Sequence, residues 1–258
     1  MQPAAALLRN RTLVAEWIRR EWSSRYRRGP LTFLLPLARP ALMLGIYGVI
    51  FSRALKVDVP GNSYVLFALC GLAPWVFFSV TISQTAYSLT AAGPIVRKVY
   101  FPRAVVPVAY AAVATFDLAL VGSALVATAL ITQGAIPVAA ISLLPLYAGY
   151  VILMAAVGIV VALAGALSPA FRTAVPMMLQ LAFIASPIMY PPRIMPRTLA
   201  WLTQLNPVAA MAEITRDALI EGTSPRLGYI ATWLVAASLV FLAALMYSSS
   251  IEHRIADA

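Results

Sequence analysis

Two ionisable residues stand inside stretches otherwise suited to a hydrocarbon solvent. Arg39 interrupts the apolar run 31–52, and Asp117 is the only charged residue between Ala104 and Phe171. A charge at the centre of a bilayer costs about 2.5–3.5 kcal/mol on insertion scales, so each needs a partner or a function. Counted along a helix from Pro30 and Arg103, at about 1.5 Å per residue, both fall between the inner interface and the midplane. They suit either a polar pair facing a substrate or an inter-helix ion pair joining two spans.

Other chemistry is sparse. The chain has nine carboxylates, one histidine (His253) and one cysteine (Cys70). That excludes an internal disulfide, a His-rich or Cys-rich metal site and His-based nucleophilic machinery. Only Asp117 lies in an apolar stretch, whereas a proton-relay pump wants several buried acids. No G-x-x-x-x-G-K-[ST] loop occurs, so the chain has no P-loop for nucleotide. No enzymatic activity and no cofactor are expected in this chain.

The elements that must hold these residues follow from composition. Hydrophobic residues make up 62% of the 258 positions and charged residues 11%, against roughly 25% charged in soluble domains. No charge occurs at 62–96, 173–192 or 227–251. A spanning helix needs about 20 apolar residues, and the short alternating segments of a β-barrel are absent. The fold expected is all-α and polytopic, a single membrane domain over 1–258 with about six spans, at 31–52, 63–89, 104–131, 138–167, 173–187 and 227–249.

Three other segments are distinct. At 11–28, Val14, Ile18, Trp22 and Tyr26 recur every four residues, and Glu16–Arg20 and Glu21–Arg25 form favourable i,i+4 pairs. This pattern predicts an amphipathic helix in the membrane interface, with Trp17 and Trp22 at headgroup depth. Residues 91–103 form a basic connector. Residues 188–225 are rich in proline and charge, with apolar stretches at 198–205 and 208–212 too short to cross, and are expected to form an outer re-entrant hairpin. Twelve basic residues fall on one side of this arrangement and six on the other, which places both chain ends in the cytoplasm.

Five segments carry a family resemblance: Ser24-Arg-Tyr-Arg-Arg-Gly-Pro-Leu31, Gly71-Leu-Ala-Pro-Trp-Val-Phe-Phe78, Val99-Tyr-Phe-Pro-Arg103, Ser186-Pro-Ile-Met-Tyr190, and Asn206-Pro207 ahead of Arg216. In this order, over nearly the whole chain, they resemble the membrane subunits of type-2 ABC exporters, specifically the polysaccharide-export permeases for O-antigen, capsule and teichoic acid. The resemblance implies half of a transporter in the bacterial inner membrane. Its partners would be a second copy of the chain, two copies of a cytoplasmic ABC ATPase carrying ATP and Mg, a lipid-linked glycan and membrane lipids, with no nucleic acid.

Residue roles follow from the same resemblance. Arg97, Lys98, Tyr100, Phe101 and Arg103 would couple to the ATPase, or simply form a positive-inside loop. Trp17, Trp22, Arg25, Arg27 and Arg28 would meet the glycan's diphosphate at entry, or anchor the helix on anionic lipid. Trp75, Phe78, Arg39 and Asp117 are the candidate channel lining. Pro187, Tyr190, Asn206, Pro207 and Arg216 would form the outer gate. Two other readings stand beside polysaccharide export: a type-2 permease for a small molecule, drug or lipid, and a membrane scaffold that transports nothing.

Overall fold

Backbone hydrogen bonds have no solvent partner in lipid, so a chain this apolar must satisfy them within each segment. A computed structural model describes residues 9–26, 29, 31–54, 63–93, 102–192 and 206–256, and every regular element among them is helical. In chain order these are α1 (Arg11–Tyr26), α2 (Leu31–Gly48), α3 (Tyr64–Ala91), α4 (Val105–Gln133), α5 (Leu143–Leu167), α6 (Pro169–Ala185), α7 (Pro207–Arg216) and α8 (Leu227–Ala256). Wide turns extend α2 through Val49–Ala54 and α7 through Asp217–Glu221, and a short tight helix, Val138–Ser142, leads into α5.

Local chemistry sets the ends. The Ser63 hydroxyl accepts from the Leu66 amide at 3.3 Å to open α3. Ser168 accepts from Phe171 at 3.2 Å with Pro169 at the first helical position of α6, a pairing that suits both residues. Asn206 accepts from Val208 and Ala209 to open α7, again ahead of a proline. Gly134, at φ 76°, closes α4 through its amide bond to Leu130. Pro36 and Pro40 inside α2 remove two amide donors, freeing the carbonyls of Thr32 and Pro36 from intrahelical bonding.

α3 is the axis of the bundle. It packs against α2, α4, α5, α6 and α7, while α8 packs on α5 and α1 on α4. Of the most apolar stretch of α3, 83% is buried, against 22% for α8, so α8 presents its apolar surface outward. The α3–α5 crossing depends on missing side chains. A Cβ on Gly165 would overlap the Ala86 carbonyl, and one on Gly158 would touch Thr85. Close backbone approach over small residues is the usual way helices associate where burial from water gives no drive. On the opposite flank of α5, Gly149 admits Trp233 of α8, whose Nε1 donates to the Leu146 carbonyl at 3.2 Å.

Among the described residues four helices are long and apolar enough to cross a membrane: Tyr64–Ala91, Val105–Gln133, Val138–Leu167 and Leu227–Ile251. The segments Pro36–Phe51 and Pro169–Ala185 are apolar but shorter. The 17 residues of α6 rise about 26 Å, somewhat less than a hydrocarbon core of about 30 Å. The expected fifth span at 173–187 begins earlier, at Pro169, because Ser168-Pro169 caps the helix it was read as preceding. Arg172 therefore sits in the first turn of α6, where it bonds the Thr90 hydroxyl and the Gly165 carbonyl. The apolar stretch 198–205 lies outside the described residues, and 208–212 is the first half of α7.

Replacing Gly165 with Val overpacks the α3–α5 crossing by about 1–3 kcal/mol. Thermal unfolding followed by tryptophan fluorescence should show a clearly lower Tm than for Gly122→Val, where a Cβ meets nothing within 4 Å. Equal melting of the two variants would contradict the crossing.

Candidate functional site

α1 ends on two groups that reach into the bundle. Arg25 Nη1 donates to Asp117 Oδ2 at 3.1 Å, and the Tyr26 hydroxyl donates to Asp117 Oδ1 at 2.6 Å. Asp117 is 2% exposed, so the carboxylate has exchanged water for a guanidinium and a phenol. Around this bond the rings of Trp22, Tyr26 and Phe33 gather on Phe116, with Trp22–Phe116 centroids 4.6 Å apart and Tyr26–Phe116 5.0 Å. One turn earlier Glu21 bonds the Tyr110 hydroxyl. Burial raises the Glu21 carboxyl above its ordinary value, and Tyr110, Arg25 and Arg20 oppose that rise.

These contacts fix the course of α1. Glu21 meets Tyr110 and Tyr26 meets Asp117, five residues apart on α1 and seven on α4, so the helices run side by side in the same sense. Trp17 belongs to a buried cluster with Leu89, Ala104 and Val105. Trp17 and Trp22, expected as headgroup anchors, thus pack on protein, because α4 offers them an apolar wall. Of the two readings of Arg39 and Asp117, an ion pair between them does not form. Asp117 is taken by Arg25, while Arg39 is exposed and forms no ion pair among the described residues.

Below this bond lies a pocket of about 290 Å³, lined by Arg25, Tyr26, Arg39, Trp75 and Asp117 together with apolar residues of α2 and α3. Three of the four channel-lining candidates therefore meet, at the seam between α1 and the bundle. Trp75 is 1% exposed and its Nε1 has no hydrogen-bond partner among the described residues. Phe78, the fourth candidate, is half-buried against it, with centroids 5.5 Å apart.

Nearer the start of α3, beside Phe67 and Gly71, lies a second clasp. The Arg216 guanidinium, 4% exposed, donates to the carbonyls of Pro187 at 3.1 Å, Ile188 at 2.7 Å and Phe67 at 3.4 Å, and lies 3.8 Å over the Phe67 ring. Glu213, one turn back, supplies its counter-charge. At the start of α7, the Asn206 amide donates to the Ser186 hydroxyl at 2.6 Å. Both ends of α7 are thus tied to Ser186-Pro187-Ile188. The Tyr64 hydroxyl adds a bond to the Met189 carbonyl at 2.9 Å, and Tyr190 donates to Ile184 while its ring stacks on Phe51.

Four of the five outer-gate candidates, Pro187, Asn206, Pro207 and Arg216, are assembled here, with Tyr190 at the edge. Two residues that the sequence places in the resembling segments but gives no site role belong to the clasps as well: Gly71, where a Cβ would overlap the Ile188 carbonyl, and Tyr26, which bonds Asp117. The signal for Tyr26 was available: a phenol on an apolar face suits a buried carboxylate on a neighbouring span. Arg27, Arg28, Arg97, Lys98, Tyr100 and Phe101 lie outside the described residues, and Arg103 is half-buried just before α4. Among the described residues no three His, Cys, Asp or Glu side chains gather as a metal site.

The family model described as "ABC-2 type transporter" matches residues 12–220, from the first turn of α1 to the turn after α7. An O-antigen export system permease protein RfbA of Klebsiella pneumoniae is 26% identical over 234 residues, covering 90% of this chain and 89% of its own length. A second Klebsiella pneumoniae RfbA permease is 24% identical with the same coverage. An RfbA permease of Myxococcus xanthus is 30% identical over 101 residues, 39% of this chain and 38% of its own length.

Arg216→Gln strands the Pro187 and Ile188 carbonyls in a buried site, at about 1–3 kcal/mol for each group left unsatisfied. Arg216→Lys should rescue poorly, because an ammonium lacks the planar fork that spans both carbonyls. Thermal unfolding of the two variants checks this; full recovery of wild-type stability with lysine would show that charge alone suffices.

Proposed function

Because the chain belongs to the ABC-2 type transporter family, we propose that it is the membrane-spanning subunit of an ATP-driven exporter moving a lipid-linked polysaccharide of the O-antigen kind. The observation that carries this reading is the coverage of the Klebsiella pneumoniae O-antigen permeases, which align over 90% of the chain. Both clasps lie within the residues that the family model matches.

The finer picture extends the same reading. Two copies form the conduit in the bacterial inner membrane, each with six spans and both ends inside, so that α2 and α6 cross along with the four longer helices. The chain hydrolyses nothing itself. Each copy carries one cytoplasmic ABC ATPase holding ATP and Mg, docked on Arg97, Lys98, Tyr100, Phe101 and Arg103. The glycan's diphosphate enters beside α1, among Arg25, Arg27 and Arg28, whose guanidinium forks suit phosphate oxygens. Segment 188–225, held by Arg216, is the outer gate.

The two clasps sit at different levels of α3, one beside Trp75–Val80 in its middle, holding α1 on α4, and one beside Phe67–Gly71 near its start, holding α7 on the turn after α6.

Co-purification tests the assembly. The tagged chain should retain its ABC ATPase, and hydrolysis by the complex should rise with lipid-linked glycan. Stimulation by small amphiphiles but not glycolipid would move the cargo to another class, and no ATPase association at all would leave only a scaffold. Phe101→Ala and Arg97→Ala should cut ATPase retention at unchanged membrane expression; full retention with normal export would remove the coupling role.

A further inference from the structure

The pocket beside α1 holds an unbalanced charge. Its lining includes two guanidiniums, Arg25 and Arg39, and one carboxylate, Asp117. Arg25 bonds Asp117, which leaves Arg39 as a cation without an ion-pair partner among the described residues. The remaining wall is largely apolar, with Pro36, Pro40, Met43 and Val80. Arg39 itself is exposed at the mouth of this pocket, where its guanidinium is open to a counter-anion and suits phosphate oxygens. Trp75 adds an indole N–H that has no acceptor among the described residues. A volume of about 290 Å³ is at the small end of ligand sites, enough for a headgroup but not for a sugar chain.

Arg25 is the more accessible member of its ion pair. Its side chain is 20% exposed, against 3% for Asp117, and it lies on the rim between the pocket and the buried carboxylate. An anion seated at Arg39 would repel Asp117 and draw Arg25 toward itself. The Tyr26–Asp117 bond alone would then hold the end of α1.

We propose that this pocket binds the phosphate of a membrane amphiphile through Arg39 and the Trp75 indole N–H, and that the phosphate competes with Asp117 for Arg25, so that filling the pocket loosens α1 from α4. The binding half stands on charge and geometry alone. Only its use as a step in cargo entry rests on the export reading.

The test uses the full chain in maltoside micelles, without ATPase. Dodecyl phosphate is the probe, dodecanol the neutral control and inorganic phosphate the free anion. The wild type should bind dodecyl phosphate and ignore dodecanol. Arg39→Gln should weaken binding about tenfold or more, the loss of one charge-assisted bond. Asp117→Asn keeps an acceptor for Tyr26 but removes the competing charge, so it should bind several-fold tighter. A merely structural role for Asp117 predicts equal or weaker binding instead.

Nitroxides at Glu16→Cys and Ser123→Cys, both exposed positions, report the α1–α4 distance while buried Cys70 stays unlabelled. That distance should broaden or lengthen with dodecyl phosphate. Unchanged binding in Arg39→Gln, no gain in Asp117→Asn, or equal displacement by inorganic phosphate would each overturn the proposal. Parallel titrations with a polyprenyl diphosphate and with phosphatidylglycerol then tell a cargo headgroup from bulk lipid. Failure here with glycolipid-stimulated hydrolysis intact would remove the pocket and leave the export reading in place.

Discussion

Hydrocarbon offers no hydrogen bonds, and that single constraint organises this molecule. A polar group carried into the bundle gains by finding its partner within the chain. Some do so locally, as where the Thr85 and Ser88 hydroxyls bond carbonyls one turn back on α3, and others across helices, as where Tyr150 of α5 bonds the Pro74 carbonyl of α3 at 3.1 Å. Two buried groups are ionised, the Asp117 carboxylate and the Arg216 guanidinium. Each reaches across the fold and ties another segment to the bundle. Because an unpaired buried charge costs far more than a neutral group, the clasps fix where α1 and α7 sit more firmly than their apolar contacts do.

The two clasps differ in kind. Arg216 meets mainly backbone carbonyls, which cannot titrate or leave, over an aromatic ring that adds a further contact. Asp117 meets a charged side chain that is itself partly exposed. One clasp is thus held mainly by backbone and the other by a pair of ionised side chains and a phenol.

Much of the fold was legible because membrane spans are written in long runs. Helices α3, α4, α5 and α8 follow charge-free or nearly charge-free segments and fall within a few residues of the expected bounds, α8 running on beyond 249. Segment ends written by caps were harder. Ser168-Pro169 serves as both the stop of α5 and the start of α6, and only the second role carries a propensity rule. Site residues divide along the same line. Asn206, Pro207 and Arg216 stood out as polar or helix-initiating residues in an apolar context, and they do converge. Which cation would take Asp117 was not legible. Arg25 and Arg39 are equally charged, and only the lie of α1 along α4 decides between them. Gly71 was invisible as a site, since the absence of a side chain has meaning only once Ile188 is known to pass beside it.

The account as a whole stands on vectorial transport through a frame that this chain supplies. The direct measurement is to reconstitute the chain with its ATPase in sealed vesicles, ATPase outward, add lipid-linked glycan to the outer leaflet, and follow the glycan's protection from an external glycosidase. ATP should bring progressive protection, and a hydrolysis-dead ATPase should bring none. Equal protection with and without ATP, in a complex that hydrolyses ATP normally, would contradict a conduit and leave a scaffold.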